Sequence, residues 1–188
     1  SLLLNASFQC LAEFVQRFAS PFLEKAGIRM LGALPLRATL SAMSLGELSD
    51  LLRAVVLTKQ FDPQRLAQAF TVGAMTMQAA LSRFRRQPNK VVITGGDRTD
   101  IQLAALETST VALILTGNLH PSPLVLEQAE AVGVPILLVP TNTMETVEAI
   151  ERTYGKTRLG QPEKLEAFME LMAAHVDTAA ILAGIGLS

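Results

Sequence analysis

The stretch KVVITGGDRTDIQLAALETSTVALILTGN (90–118), followed by PILLVPTN (135–142), decides how this chain folds. The runs VVIT, VALIL and ILLV consist of β-branched residues and leucine, with a single alanine in the second, and show no polar alternation. A strand with one wet face alternates apolar and polar residues, whereas an unbroken apolar run is covered by helices on both faces. Between the runs lie 98–108 and 121–132, helical by period and by alanine content. The three segments opening at 90, 111 and 135 begin 21 and 24 residues apart. Strand, helix, strand at that spacing marks parallel βαβ units with right-handed crossovers. The predicted class is α/β with a mainly parallel sheet.

On the amino-terminal side, AVVLT (54–58) is strand-like, a helix is expected around Asp62–Phe70, and TVGAM (71–75) leads into a helix Thr76–Phe84. Further out, Phe8, Leu11, Val15, Phe18 and Phe22 recur at three- and four-residue steps, an amphipathic helix closed by Gly27. The run Ile28–Pro35 has the length of one buried strand, and Met43–Leu52 is read as a second helix. On the carboxyl-terminal side, helices are expected over Met144–Thr153, Pro162–His175 and Asp177–Leu187. Two regions are expected: a helix–strand–helix segment over 1–52 and an α/β domain over 54–188.

Three turns follow strands of one direction and so open on one edge of the sheet, where open α/β sheets bind ligands. In the first, Gly95-Gly96-Asp97-Arg98-Thr99-Asp100, the glycines permit a sharp turn and Asp97 or Thr99 is placed to cap the next helix. One reading is an ordinary capped turn. The other is a ligand cradle of backbone N–H groups, with Arg98 and Thr99 holding an anionic group. The two carboxylates oppose a phosphate, and Asp97 with Asp100 offers too few oxygens for a divalent cation. The second turn, Thr116-Gly117-Asn118, repeats the Thr-Gly-polar pattern 22 residues on and leads to His120, which has no evident nucleophile or metal partner. In the third, Thr141-Asn142-Thr143, Thr141 or Asn142 is expected to cap the following helix.

Composition narrows the function. Sixteen basic and 17 acidic residues leave a net charge of −1, so the basic stripe of a nucleic-acid binder is missing. Residues are 49% hydrophobic and the mean hydropathy is +0.35, which favours a buried subunit or domain interface. No apolar run reaches the ~18–20 residues of a membrane span, and the SLLLNAS start lacks the pattern of a signal peptide. A cytoplasmic protein is expected. Cys10 is alone, so neither a disulfide framework nor a thiolate metal site is expected. Arg83, Arg85, Arg86 and Lys90 are read as a basic helix terminus complementing its dipole, and Glu163 and Glu166 as a solvated face. No nucleotide-binding P-loop, zinc-protease, serine-hydrolase or dithiol motif occurs.

At VVITGGDRTDIQLAALETSTVALILTGN and GVPILLVPTNTMETVEAIERTYGKTRLG the chain resembles the DRTGG domain family, over roughly residues 54–185. This copy reads Asp97-Arg98-Thr99-Asp100, with the paired glycines before the aspartate rather than after the threonine. The resemblance implies a three-layer α/β/α sandwich similar to the amino-terminal domain of HPr kinase. It also implies a setting: such domains lie between a dethiobiotin-synthetase-like P-loop domain and the catalytic domain of long bacterial phosphotransacetylases, and occur in shorter proteins too. Residues 8–52, with GIRMLGALP and SLGEL, resemble the end of that P-loop domain. The chain therefore reads as a fragment without Walker lysine or acetyltransferase region. No cofactor, nucleotide hydrolysis or acetyl transfer is expected of it. The leading expectation is a non-catalytic regulatory and oligomerisation domain, dimeric, partnered by P-loop or acetyltransferase domains. The alternative is a sensor binding a nucleotide, coenzyme A or acetyl phosphate at the three turns.

Overall fold

The structure, a computed structural model, describes residues 14–156, 159–184 and 186. Its contacts form two compact units: Ser41–Arg158, and the described residues of Ser1–Leu40 together with those of Leu159–Ser188. The units divide the chain differently from the expected 1–52 and 54–188. The helix Leu45–Leu52 packs into the larger unit, because its Leu45, Leu48 and Leu52 are buried against one face of the sheet there.

The larger unit has strands β1 (Met43–Ser44), β2 (Val55–Val56), β3 (Leu66–Ala67), β4 (Ala69–Val72), β5 (Lys90–Gly95), β6 (Thr110–Thr116) and β7 (Ile136–Leu138). Five of them make one sheet in the order β2-β7-β6-β5-β4. β4, β5, β6 and β7 are mutually parallel, with Val92 opposite Leu113 and Leu113 opposite Ile136. Only β2 runs antiparallel, pairing Val55 with Leu138. Helices cover both faces, as the unbroken apolar runs require. Val92, Leu113, Leu115, Ile136 and Leu138 point toward Phe84, Ile101, Ala105, Val125 and Ala129 of the helices Met77–Phe84, Thr99–Leu106 and Pro123–Val132. Their strand neighbours Val91, Ile93, Ile114, Leu137 and Val139 point the other way, toward Leu45, Leu48 and Ile150 of the helices Leu45–Leu52 and Thr143–Thr153. Each of the larger of these side chains, Val, Leu, Ile or Phe, contributes about 1.5–3 kcal/mol on full burial. The α/β/α sandwich with a mainly parallel sheet is what the sequence led us to expect.

Several local expectations need correction. Residues 62–70 are not a helix. Leu66 and Phe70 stand four apart, which mimics helical spacing, but Pro63 and an Asp62 Oδ1 bond to the Gln64 N–H make a turn instead. β3 then pairs with β1 and β4 with β5, so tertiary pairing overrides the local pattern. Of the stretch 71–75 that leads into the next helix, Thr71 and Val72 are the end of β4. Lys90 does not join a surface cluster with Arg83, Arg85 and Arg86: the arginines are exposed, whereas Lys90 is fully buried.

In the smaller unit, a π-helical turn Val15–Ala19 runs into the helix Ser20–Lys25, which Gly27 closes at φ +76°. Phe8 and Leu11 of the expected apolar stripe, and Cys10, lie outside the described residues. Residues 28–35 form no strand. They make a single bridge from Gly32 to Val176, with Ile28 and Leu34 exposed. Gly32 is required at that contact, since a Cβ would run into the His175 carbonyl. Helices Pro162–His175 and Thr178–Gly184 complete the unit, and Arg29 pairs with Asp177 at 3.0 Å.

Candidate functional site

The three polar turns meet at the carboxyl edge of β5, β6 and β7. Gly117 donates its N–H to the Thr141 carbonyl at 2.8 Å, and Asn118 to the Val139 carbonyl at 2.9 Å. Gly117 and Asn118 both have positive φ, +76° and +55°, which aims their N–H groups at the third turn. Thr116 and Thr143 share a hydroxyl hydrogen bond of 2.9 Å. The first and second turns pack so closely that a Cβ on Gly96 would run into the Leu119 carbonyl.

Within the first turn the geometry departs from expectation. Neither Asp97 nor Thr99 caps the helix Thr99–Leu106: the N-cap residue is Arg98, and no side chain bonds the helix start from that position. Arg98 lies back across the turn instead. Its Nε and Nη2 donate to Asp100 Oδ1 and Oδ2, both at 3.0 Å, and Nη2 also reaches the Met75 carbonyl at 3.0 Å. The guanidinium holds the Asp100 carboxyl below its usual range, and the carboxylates of Asp100 and Asp97 push Arg98 further up. Asp97 stays exposed. In the third turn Asn142 caps as expected. Its Oδ1 accepts from Glu145 N–H at 3.0 Å, and Glu145 Oε2 accepts from Asn142 N–H at 3.1 Å. Thr141 bonds Thr146 through their hydroxyls at 2.8 Å.

Gln102 escaped the sequence reading. It is fully buried, and Nε2 donates to the Gly95 and Gly96 carbonyls at 2.8 and 3.0 Å, tying the glycine pair to the second turn of the helix. The available signal was one amide between Ile101 and Ala104 on an otherwise apolar helix face. Three apolar side chains in or just after the turns are exposed, Leu119, Leu124 and Met144 at 48%, 58% and 68%, alongside the exposed Asp97, Asp100, Asn118, Asn142 and Glu145. His120 is exposed beside them. Among the described residues no group of three His, Cys, Asp or Glu could hold a metal ion, and no helix is long and apolar enough to cross a membrane.

The chain belongs to the DRTGG domain family, whose model matches residues 47–153. It is 28% identical to a phosphate acetyltransferase of Pseudomonas aeruginosa over 176 residues, 88% of this chain and 25% of that protein. With a phosphate acetyltransferase of Nitratidesulfovibrio vulgaris the identity is 30% over 155 residues, 77% of this chain and 22% of that one. The chain thus spans about a quarter of the length of these relatives. Its fold is similar to the CBS and DRTGG domains of the regulatory region of Clostridium perfringens pyrophosphatase, a structure complexed with the activator diadenosine tetraphosphate. There the TM-score is 0.51 at 21% identity, covering 73% of this chain and 69% of that one.

Proposed function

Taking the chain as a DRTGG domain protein, we propose that it is a non-catalytic regulatory and oligomerisation domain of a phosphotransacetylase-related protein. In this reading the carboxyl edge of the sheet is a contact face toward a second copy, in a cytoplasmic assembly with P-loop or acetyltransferase domains. One observation carries it. Arg98 is paired with Asp100 inside the first turn and the second turn is bonded to the third, while Leu119, Leu124 and Met144 remain exposed beside them. A site for an anion keeps donors free, and here the Arg98 fork is occupied by Asp100. Apolar side chains gathered at one edge suit a protein contact. Phe18 and Phe22, 56% and 73% exposed, support a contribution of segment 1–52 to contacts between chains.

Light scattering on the whole chain tests this. A dimer is expected, becoming a monomer of unchanged circular dichroism on combining Leu119→Asp with Met144→Asp. A monomeric parent chain at tens of micromolar overturns the reading. The competing reading, a sensor at the same edge, draws on the nucleotide activator of the pyrophosphatase region. It requires that a nucleotide, coenzyme A or acetyl phosphate raise the melting temperature, and that Arg98→Gln, Thr116→Val or Asn118→Ala abolish the rise. The remaining turn residues, Gly95, Gly96, Asp97, Thr99, Asp100, Gly117, Thr141, Asn142 and Thr143, complete that candidate site.

A further inference from the structure

At the other end of the same unit, where the chain enters β7, lies a cavity of about 330 Å³ lined by Gln60, Phe61, Asp62, Arg65, Gly133 and Pro135. Its two charged residues, Asp62 and Arg65, are exposed at the mouth, and each is bonded once to the backbone. Asp62 Oδ1 accepts the Gln64 N–H at 2.9 Å. Arg65 donates from Nη1 to the Gly133 carbonyl at 3.2 Å, at the point where the helix Pro123–Val132 ends on Gly133 with φ +66°. Among the described residues neither Asp62 nor Arg65 forms an ion pair, with each other or with a third group. The nearby charges Lys59 and Glu130 pair with one another at 3.7 Å.

We propose that this cavity binds a free α-amino acid, its carboxylate on the Arg65 guanidinium, its ammonium at Asp62 and its side chain against Phe61 and Pro135. A guanidinium presents a planar fork of donors that matches a carboxylate, and one anchored nitrogen leaves the rest of that fork free. A purely anionic ligand meets Arg65 but is opposed by Asp62, and a purely cationic one meets the reverse. A neutral apolar ligand leaves both charges desolvated without a partner. A zwitterion satisfies both together. The cavity is at the lower end of the range for small-molecule sites, about 300–1,000 Å³, which suits a single amino acid. It stands apart from the three turns, so it does not rest on the assembly reading.

The test is calorimetric titration of the whole 188-residue chain with each proteinogenic amino acid at millimolar concentration. Any that binds is then compared with its decarboxylated amine and its deaminated acid. We expect one amino acid, or one chemically related group, to bind, and both truncated analogues to bind about ten- to a hundredfold more weakly. Asp62→Asn keeps the oxygen that accepts from Gln64, so the turn persists while the ammonium loses its counter-charge. Arg65→Lys keeps the charge and loses the fork. Both variants should weaken binding by a similar factor, with unchanged circular dichroism. Failure of every amino acid to bind, equal binding of the deaminated acid, or binding that survives both variants overturns the proposal. Light scattering on the same samples reads the oligomeric state separately, so either reading can fail without the other.

Discussion

Arg98 grips Asp100 with two parallel hydrogen bonds, Nε to Oδ1 and Nη2 to Oδ2, each 3.0 Å, across the start of the helix that follows β5. The bond lowers the Asp100 carboxyl pKa, with the Arg98 hydrogen bond its largest cause. A carboxyl depressed in the folded state contributes stability that is present above its unfolded pKa and is lost as pH falls through the folded value. Both side chains are partly exposed, so the effect is small and screened by salt. We expect carboxyl-detected NMR to place Asp100 below the ordinary aspartate range, and Arg98→Gln to bring it back. An unchanged Asp100 titration in that variant contradicts the pairing.

Asn142 is the N-cap of its helix and bonds it, whereas Asp97 stands one residue before the N-cap Arg98 and makes no cap bond. Asn142→Ala should cost about 0.5–2 kcal/mol. Asp97→Ala, at an exposed position without a cap bond, should stay within about 0.5 kcal/mol. Urea denaturation of the two variants beside the parent measures both, and equal losses contradict the assignment of caps.

The parallel core was legible because periodicity there is unambiguous: VVIT, ALIL and ILLV are too apolar for any wet face, and their spacing admits only a short crossover. Residues 62–70 misled because Leu66 and Phe70 carry a helical interval, and nothing local says that Leu66–Ala67 will pair with Met43–Ser44. Meeting of the three turns at one edge followed from strand direction. Their internal bonding did not, since whether Arg98 faces solvent or Asp100 depends on side-chain torsions that the spacing leaves open. Gln102 was hidden for a similar reason. A helix face of Ile, Gln, Ala and Ala reads as a slightly imperfect core until the carbonyls above it are placed.

Gln102 should matter to the fold beyond its single amide. Nε2 serves two carbonyls, Gly95 and Gly96, in a buried setting. Gln102→Leu is close in size but removes both donors, leaving at least one carbonyl buried without a partner. The expected loss is about 1–3 kcal/mol. Hydrogen exchange should show faster opening of residues 95–98 in the variant, with β7 less affected. A variant as stable as the parent would show that the glycine turn holds itself.

Lys90 gives the last and most direct test, because its burial has a definite sign. The side chain is fully buried, with Nζ donating to Thr108 Oγ1 at 2.9 Å and to the Ser109 carbonyl at 3.0 Å, and lying 5.4 Å from the centre of the Phe84 ring. None of these partners is a carboxylate, so the ammonium meets only dipoles and an aromatic face. Desolvation lowers its pKa from 10.5 to about 8. Between those values the unfolded chain binds more protons than the folded one, so stability rises with pH through the window. Tyr154 works in the opposite direction above its ordinary value of 10.0, because burial raises its pKa and favours the protonated folded form. The clean interval is therefore from about 8 to about 10. We expect the unfolding free energy from urea titrations to increase across it in the parent chain. Lys90→Met, which keeps an unbranched apolar stem in the same space, should flatten that rise. A parent whose stability is level or falling over this interval, or a Lys90→Met chain that keeps the slope, would falsify the assignment of the pH dependence to Lys90.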